Sequence, residues 1–521
     1  MAVETEYTAD LSGAMVLEPV PLADWLVVAP VAIPLVVGGI LLVARRETRM
    51  HGWLAAGGLL ATLVCTVLLL MRVLEQGIVV MTMGRWLPPF GISFVADPLG
   101  ASFAVAGTLV AVVCAFYATS DIGTVGRRYG YYALLILMMA GVNGAFLTGD
   151  MFNLYVWFEV FLISSFGLLV MGSERRQLDG ATKYAILNLI GTTFFLIATA
   201  YLYGIFGTLN MADVARKAGD LRDTAPLMTL TVLYLLAFAM KAAAFPVNFW
   251  LPASYHTPRI VTSALFGAVL TKVGIYGLLR TFGMLFPPEL EILSVLIAWV
   301  AAATMILGIM GALAQTDIRR ALGFVVISGI GIMLAGIAIG TPEGFAGTVF
   351  YALHSMIVLG ALYLLAGVMN SLGGSYSLRD LGGLYAARPL IAAFALFLVL
   401  SIAGLPPASG LWPKVMLVQA SLESGWSWLG FTILLTGFLT TVALGRVFIL
   451  AIWRPLPENA EPIKAGMSPA LGYGVLTALS LPMLIIGLYP DPVIGLAESA
   501  AGGLIDATTY IGTVFPEGAA Q

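Results

Sequence analysis

The chain has 521 residues, of which 60% are hydrophobic and only 10% are charged, and its formal net charge is −3. A soluble protein of this length needs far more charge to cover its surface, so most of this chain must be solvated by lipid. This composition excludes a soluble globular protein, and we expect the lipid bilayer, but no nucleic acid, among its partners.

About fourteen apolar stretches are long enough to cross a hydrocarbon core of ~30 Å, which takes about 20 helical residues. Lipid cannot satisfy exposed backbone groups, and the alternating segments of a membrane barrel are not seen, so the stretches must be helices. We predict an all-α polytopic membrane protein with about 14 transmembrane helices. The predicted spans begin near Trp25, Trp53, Pro98, Tyr131, Met151, Tyr184, Leu227, Ile260, Ile292, Ala321, Phe345, Leu390, Trp426 and Leu471.

The N-terminal 24 residues are acidic and lack the basic start and cleavage pattern of a secretory signal. If this segment lies outside, most Lys and Arg residues fall in inner loops, and only a few, Arg280 among them, fall in outer segments. The positive-inside rule therefore places both termini on the outer side of what we expect to be a bacterial plasma membrane.

Sequence motifs for nucleotides and metals are absent. No Gly-Lys dipeptide occurs, which removes the Walker phosphate loop, and no HExxH occurs. Cys65 and Cys114 stand alone in apolar spans without metal-ligand spacing, so we expect them to serve in packing. We expect no cofactor and no metal site in this chain.

Charged residues inside the apolar spans are the main functional signal. Glu159 is the only charge in FNLYVWFEVFLISSFGLLV, Lys241 lies in AFAMKAAAF, Lys272 lies in GAVLTKVGIYG, and Lys414 follows a double proline in GLPPASGLWPK. A central Lys or Asp costs roughly 2.5–3.5 kcal/mol on insertion scales, so four such residues represent about 10 kcal/mol. Arg446 is different, because it lies near the inner end of its span and can snorkel to the interface.

Internal salt bridges are the alternative explanation for these charges. A buried ion pair seldom stabilises a protein more than packed apolar side chains do, and three lysines outnumber the one glutamate. A chain of groups that pass protons explains the set better. His354, mid-span in VFYALHSMIVLG, fits such a chain because imidazole titrates nearest physiological pH, although a lone buried histidine is usually a core residue. His256 in NFWLPASYHTPR and Lys183 are accessory candidates.

Glu159 and Lys241 carry opposite charges on separate predicted helices. At about 6 Å and an effective dielectric constant of 20, their Coulomb attraction is about 3 kcal/mol. We expect this ion pair to form and to separate. Contact keeps Lys241 protonated, and separation leaves a desolvated ammonium that passes its proton onward.

Prolines interrupt two of the helices that hold these lysines. Phe245-Pro246 and Leu251-Pro252 follow Lys241, whereas Leu405-Pro406-Pro407 precedes Lys414. Carbonyls freed at membrane depth must face protein or water. The breaks share similar letters, LPAS and LPPAS, and the lysine precedes one break and follows the other. We interpret this reversal as a sign of an inverted-topology repeat.

Together these segments resemble the proton-conducting, antiporter-like membrane subunits shared by respiratory complex I and the multisubunit Mrp (also Mnh or Pha) cation/proton antiporters. The resemblance runs from about residue 95 to 420. It rests on the segments around the intramembrane charges, FNLYVWFEVFLISSFGLLV, AFAMKAAAFPVNFWLPASYHTP, LTKVGIYGLLR, YALHSMIVLGALYLLAGV and AGLPPASGLWPK. Among them, FNLYVWFE and FWLPASYHTP are most similar to the D-type subunit of the Mrp antiporters.

The resemblance implies a fold of fourteen helices, with two inverted five-helix repeats and broken seventh and twelfth helices. Helices 1–3 would occupy residues 1–130, the first repeat 131–285, the second repeat 286–455, and helix 14 with the tail 456–521. It also implies site roles, which are Glu159 with Lys241 as the coupling ion pair, Lys272 with His354 as the central relay, and Lys414 as the outer terminal proton site.

The sequence departs from the family pattern at two positions. Arg259 follows HTP where a small residue or proline is usual, near the inner face, where it alters proton access. Gly329 in VVISGIGIM replaces a common polar residue, which weakens a polar link through that helix. Asp317 and Arg319, in the preceding loop, are expected to form a solvated cytoplasmic pair.

Three functions fit these observations. The leading one is the proton-translocating subunit of a multisubunit monovalent cation (Na⁺ or K⁺)/proton antiporter. The alternative is a proton-pumping membrane subunit of a respiratory complex I-like NAD(P)H/quinone or hydrogenase complex. The third is a scaffold whose lysines have lost transport. The first is a secondary transporter subunit and no enzyme, although its likeness to NADH:quinone oxidoreductase also invites a translocase label. Neighbouring genes separate the first two functions, and lysine-to-alanine variants test the third.

One intramembrane carboxylate, already assigned to Lys241, supplies too few oxygens for a Na⁺ site. We therefore expect protons to pass through this chain and the metal cation through another subunit. The expected partners are a large A-type subunit and small membrane subunits. The tail from about Tyr489 to Gln521 is expected to form an amphipathic helix at the outer surface.

Overall fold

The structure is a computed structural model that describes residue 15 and residues 20–458, 462–464 and 466–515, with the backbone alone at Arg85. Most of the acidic N-terminal segment and the last six residues of the predicted tail helix lie outside these residues. The described chain is a helical bundle with one short hairpin, so the all-α membrane class predicted from composition is confirmed.

The helices follow one another with short connections. In chain order they are α1 (Ala29–Val43), α2 (His51–Gln76), α3 (Pro98–Asp121), α4 (Thr124–Arg128), α5 (Tyr131–Leu147), α6 (Met151–Val170), α7 (Arg175–Phe206), α8 (Met211–Leu221), α9 (Leu227–Ala242), α10 (Trp250–Ser254), α11 (Ile260–Leu265), α12 (Thr271–Leu279), α13 (Pro287–Ala314), α14 (Ile318–Ile339), α15 (Pro342–Gly373), α16 (Leu384–Ala387), α17 (Pro389–Ala403), α18 (Leu411–Glu423), α19 (Ser427–Phe448), α20 (Pro469–Leu488), α21 (Asp491–Ile505) and α22 (Thr508–Val514). Wider π-helical turns join or extend three of them, at Phe266–Leu270, Arg280–Leu285 and Ile449–Trp453.

Within the described residues, ten helical segments are long and apolar enough to cross a membrane, and four shorter apolar helices accompany them, α1, α5, α9 and α17. Two of the shorter helices, α9 and α17, end at the predicted proline breaks, and α10 and α18 resume after them. Length and composition identify helices that are able to span a bilayer. The number of crossings, the repeat boundaries and the inverted relation of the repeats stay predictions.

One hairpin was not expected from the sequence. Strand β1 (Val79–Thr82) pairs antiparallel with β2 (Ser93–Ala96), and Val79 lies opposite Ala96. Its β-branched residues favour an extended chain. Phe94 forms a further bridge to Thr148, just before α6, so the hairpin closes the end of the bundle at which the Glu159 helix begins.

The core of the bundle is built around two helical segments that are buried on nearly every face. These are Ile260–Leu285, which contains Lys272, and α15, which contains His354. A helix that is apolar all round is expected to be enclosed by other helices. α15 packs against α3, α11, α14, α17, α18, α20 and α21. The central pair of the predicted relay therefore lies at the centre of the bundle.

Arg280 lies in the interior and not in an outer loop, which corrects its place in the orientation argument. Its side chain is 1% exposed, donates to Asp97 at 2.6 Å and to the Tyr276 hydroxyl at 3.1 Å, and lies against the Tyr510 ring. Burial of a guanidinium is tolerated here because the charge is paired and hydrogen-bonded. Asp97 also caps α3, so one cluster joins α3, the Lys272 helix and the C-terminal helix α22.

The C-terminal tail packs onto the bundle. α21 contacts α15 and α3 through a small apolar stripe that includes Ala497, Ala501 and Leu504. Where one amphipathic helix was expected, the described part of the tail forms two helices, α21 and α22, which are part of the folded body up to residue 515. A position at the outer surface stays a prediction.

Candidate functional site

The five predicted relay residues lie on five different helices. Glu159 is on α6, Lys241 is in the last turn of α9, Lys272 is on α12, His354 is on α15 and Lys414 is on α18. The three lysines and the histidine are at most 7% exposed. None of these four side chains reaches the surface, so snorkelling does not explain them.

Lys241 is held by helix α7. Its Nζ donates to the Thr192 hydroxyl at 2.6 Å and to the Asn188 carbonyl at 3.1 Å. The charge of Glu159 acts on this ammonium, while Oε1 of Glu159 is buried and has no hydrogen-bond partner among the described residues. The structure thus has the ammonium bound to α7 with the carboxylate nearby. The role of the two as a coupling pair stays a prediction.

Lys272 is bonded to its own helix. Its Nζ donates at 2.7 Å to the carbonyl of Gly267, which lies in the π-helical turn Phe266–Leu270. A π-helical turn shifts the backbone hydrogen-bond ladder, and such turns are frequent at functional sites. Thr271 beside it has a buried hydroxyl without a partner in the described chain. The sequence contains no signal that would have predicted this turn.

His354 packs against the proline break that precedes Lys414. Its Nδ1 is 2.8 Å from the Ser409 hydroxyl, and its Nε2 is buried without a hydrogen-bond partner among the described residues. The charges of Lys272 and Lys414 both act on the imidazole. Gly410 passes so close that a Cβ there would meet the Ser401 carbonyl oxygen and lie 2.8 Å from Nε2. The imidazole therefore packs against the backbone of the proline break that precedes Lys414.

Lys414 binds the backbone of the break itself. Its Nζ donates to the carbonyls of Ile402 at 3.0 Å and Ala403 at 2.7 Å, which are the last two carbonyls of α17. The last carbonyls of a helix have no intrahelical donor, so the ammonium satisfies groups that the break leaves unpaired. Lys414 also borders a groove of about 660 Å³ between α18 and α19.

The two breaks use the same backbone turn. The first break (residues 243–249) begins with Ala243 at φ 63°, and the second break (residues 404–410) begins with Gly404 at φ 85°. Each of these two residues closes its helix with the same pair of hydrogen bonds to the preceding turn, and the next residue, Ala244 or Leu405, adds the same third bond.

This match corrects the correspondence between LPAS at residues 251–254 and LPPAS at residues 405–409 that the similar letters suggested. Pairing Ala243 with Gly404 also pairs Pro246 with Pro407 and Ala253 with Lys414. Residues 251–254 then correspond to residues 412–415 and not to LPPAS. The lysines occupy non-equivalent positions of two similar turns, so their reversed order gives no support to an inverted repeat.

The accessory candidates lie near one end of the bundle. His256, in the turn after α10, has Nδ1 2.9 Å from the Pro252 carbonyl. Burial and the nearby Arg320 lower the pKa of His256 to about 4, so it is neutral at physiological pH. Lys183 is exposed on α7 and pairs with Asp179 at 2.6 Å. It lies apart from the buried lysines.

The structure shows the surroundings of Gly329 and Arg259, the two residues that depart from the family pattern. A Cβ at Gly329 would lie 3.3 Å from the hydroxyl of Tyr351, so a polar group from α15 approaches the position that lacks a polar side chain. Tyr351 is one turn before His354, with the ring centroids 6.0 Å apart. Arg259 lines a cavity of about 1000 Å³ together with Tyr131 and Gln177.

Several partners of the relay were not predicted from the sequence. Thr192 and Ser409 hold relay side chains through their hydroxyl groups, and each is a buried polar residue in or beside an apolar helix, which is the signal that would have identified them. Asn188 holds Lys241 through its backbone carbonyl, a contact that no residue type indicates. Asp317, predicted to be a solvated partner of Arg319, also caps α14 by accepting from two backbone amides. The described residues contain no cluster of three or more His, Cys, Asp and Glu side chains.

Comparison with known proteins adds independent findings. The family described as NADH:quinone oxidoreductase/Mrp antiporter, TM, matches residues 148–440, which include all five relay residues. The D-type subunit of the Na(+)/H(+) antiporter of Alkalihalophilus pseudofirmus is 36% identical over 493 residues, covering 94% of this chain and 99% of that protein. The solved Mrp complex from Dietzia sp. DQ12-45-1b contains a similar chain, with a TM-score of 0.87 and 29% identity over 95% of this chain and 100% of that one.

A third comparison concerns the fold alone. The membrane-bound sulfane sulfur reductase, an archaeal respiratory membrane complex, contains a chain with a TM-score of 0.88 and 24% identity, covering 94% of this chain and 99% of that one. The same bundle therefore occurs in an assembly of another kind.

Proposed function

Because the chain belongs to the NADH:quinone oxidoreductase/Mrp antiporter transmembrane family, we propose that it is the proton-translocating, D-type subunit of a multisubunit monovalent cation/proton antiporter. The chain is a multi-pass membrane protein, and the names of its relatives support a transporter subunit over an enzyme. The redox-driven alternative shares the fold, but the relatives that cover 94% of the chain carry antiporter names and favour the first function.

The observation that carries the proposal is the electrostatic link through His354. The charges of Lys414 and Lys272 both act on the imidazole, and its Nε2 has no hydrogen-bond partner among the described residues. A neutral imidazole accepts a proton from one ammonium and returns one to the other amine. The proton count is conserved, and no redox chemistry is needed.

Lys414 supplies the terminal step. Its ammonium is stabilised by two backbone carbonyls and by no carboxylate within salt-bridge distance in the described chain, and it borders the groove between α18 and α19. Desolvation disfavours the charged form of a buried amine. Such an ammonium is able to lose its proton to water that reaches the groove.

Glu159 and Lys241 supply the coupling at the other end. Moving the ammonium from Thr192 and Asn188 toward the carboxylate would stabilise its charge, and moving it back would release the proton. The metal cation, Na⁺ or K⁺, crosses another subunit in this proposal, because this chain offers one intramembrane carboxylate. The partners are the other membrane subunits, in a bacterial plasma membrane with both termini outside.

The test is proton-linked transport by the assembled complex carrying Lys241→Ala or Lys414→Ala. Everted membrane vesicles are energised, and the collapse of the pH gradient on addition of Na⁺ or K⁺ is measured with a fluorescent dye. We expect a loss of at least tenfold for each variant, because each removes a proton-carrying group. Lys217→Ala is the control, because Lys217 is half-exposed and its partner Asp213 remains paired with Arg216 when Lys217 is replaced.

Assembly of each variant complex is checked by native electrophoresis. Full transport by assembled Lys241→Ala or Lys414→Ala complexes would overturn the proposal and favour the scaffold alternative.

A further inference from the structure

The cavity lined by Arg259, here called the Arg259 cavity, has no part in the relay. It encloses about 1000 Å³ at one end of the bundle, where α3 and α6 end, where α5 and α7 begin and where the turn before α11 passes. Its described lining includes none of the five relay residues. The volume is at the upper end of the range of about 300–1,000 Å³ that is usual for small-molecule sites.

The walls of the Arg259 cavity are of two kinds. Leu134 of α5 and Leu168 of α6 belong to its apolar part, whereas Arg259, Gln177 and Glu174 belong to its polar part. The apolar residues lie near the ends of apolar helices, where a hydrocarbon core gives way to polar headgroups. A ligand that matches these walls is charged at one end and apolar at the other.

The polar wall is held by contacts within the chain. Gln177 is buried, and its Nε2 donates at 3.4 Å to the carbonyl of Thr257, two residues before Arg259. Gln177 and Glu174 also satisfy each other's backbone amides in the capping box that begins α7. The start of α7 and the turn that carries Arg259 are therefore joined, so this wall is formed before any ligand binds.

The guanidinium of Arg259 has no hydrogen-bond partner and no ion pair within the described part of the chain. Its charge acts on the carboxylate of Asp121, the last residue of α3, but the two do not form a salt bridge. A guanidinium presents a planar fork of donors that matches the oxygens of a phosphate. Arg259 also departs from the family pattern, so the common relay gives it no role.

Further positive charge flanks the cavity. The pairs Arg127–Arg128 and Arg175–Arg176 directly follow two lining segments in the chain. Arg127 donates to the carbonyls of Ile122 and Thr119, whereas the other three arginines are exposed. One carboxylate lines the cavity in the described chain, so positive charge exceeds negative charge around it. Clusters of basic residues at the ends of membrane spans attract anionic headgroups.

We propose that the Arg259 cavity binds one anionic phospholipid. The phosphate lies on the Arg259 guanidinium, and the first part of the acyl chains lies along the apolar wall of α5 and α6. A soluble phosphate ester would leave that wall in contact with water, and burial of apolar surface therefore favours the lipid. This inference goes beyond the proposed function, because binding of the lipid requires no proton movement.

The test is lipid binding by the assembled complex, purified and stripped of lipid by detergent exchange. Mixed micelles of anionic phosphatidylglycerol or zwitterionic phosphatidylcholine are titrated in, and the lipid bound per complex is counted by native mass spectrometry. Arg259→Gln is the decisive variant, because it removes the charge of an exposed side chain that bonds nothing in the described chain. Arg379→Gln is the matched control. Arg379 is exposed outside the cavity lining, three residues after Tyr376, on which the charge of Arg259 acts.

We expect Arg259→Gln to lose one bound phosphatidylglycerol, with an apparent affinity at that site lower by about tenfold or more, because a charge-assisted contact is removed. Arg259→Lys should bind more weakly than the unmodified complex and more tightly than Arg259→Gln. Arg379→Gln should stay within twofold. Added phosphatidylglycerol should also raise the thermal unfolding midpoint of the unmodified complex more than that of Arg259→Gln, since a ligand stabilises the state that binds it.

Equal binding of phosphatidylglycerol by Arg259→Gln and the unmodified complex would overturn the proposal, and this is also the result expected if a segment of another subunit fills the cavity. Equal binding of phosphatidylcholine at this site would remove the requirement for an anionic lipid and overturn it as well. Displacement of the lipid by glycerol 3-phosphate or inorganic phosphate at matched concentration would identify a soluble phosphate as the ligand. The comparison of the two lipids uses the unmodified complex, so it decides the question even if a variant fails to assemble.

Discussion

The first and second breaks have the same backbone and different chemistry. In both, a left-handed residue ends the helix and three matching hydrogen bonds close it. The lysine of the first break lies before the turn and is held by another helix, with a carboxylate nearby. The lysine of the second break lies after the turn and is held by the carbonyls that the turn has freed.

Under the proposed function, this difference suits the two ends of the relay to distinct tasks. A charge that acts on Lys241 allows its proton affinity to follow the position of Glu159, which suits a coupling element. Backbone dipoles around Lys414 are fixed, so they stabilise its charge by a constant amount, which suits a terminal site that exchanges with water. In the proposed relay, the same type of break would therefore serve a switchable end and a fixed end.

The largest expected effect concerns the energetic coupling between Glu159 and each of the two lysines, measured as transport rates of single and double variants. Glu159→Gln should reduce transport by about tenfold to a hundredfold, because it removes the charge that acts on Lys241, and the attraction of such a pair reaches about 3 kcal/mol when the charges approach to ~6 Å at an effective dielectric of 20. Lys241→Gln and Lys414→Gln are then combined with it, and rates are measured in the same vesicles. We expect strong non-additivity with Lys241→Gln and near-additivity with Lys414→Gln.

Equal coupling of Glu159 to both lysines would break the comparison. The two ends would then behave as one electrostatic unit, and the distinction between a switchable and a fixed end would be lost.

A smaller effect concerns the turns that begin the breaks. Gly404→Ala should destabilise the protein by about 1–2 kcal/mol, because φ 85° is costly for a residue with a Cβ and that atom would meet the Lys414 side chain. Ala243→Gly should be neutral or stabilising, because it relieves the strain of alanine at φ 63°. Thermal denaturation of the purified complexes measures both.

The two substitutions are controls for each other, since they exchange the same two residue types at matched positions. A lower midpoint for Ala243→Gly than for Gly404→Ala would show that the turns are not equivalent.

Much of the fold was predictable because membrane helices are identified by their length and hydropathy. The predicted span that holds Glu159 begins at Met151, as α6 does, and both proline breaks end helices where they were expected. The five relay residues were also visible, since a charge in an apolar segment is costly and therefore informative.

The contacts of those residues were not predictable. Thr192 and Ser409 hold Lys241 and His354 across 49 and 55 positions of sequence, and only the packing of helices brings them together. The π-helical turn beside Lys272 is marked by no residue type in the sequence. Arg280 was assigned to an outer segment in the count of basic residues, whereas here Asp97 pairs with it inside the bundle.

The central claim is that protons pass through His354 between Lys272 and Lys414. The most direct test is cation-dependent proton movement by the assembled complex with His354→Asn, which offers Ser409 a hydrogen-bond partner in place of Nδ1 but cannot titrate. The account predicts a loss of at least tenfold at every pH at which the unmodified complex is active. Transport at the unmodified rate by the assembled His354→Asn complex would contradict it.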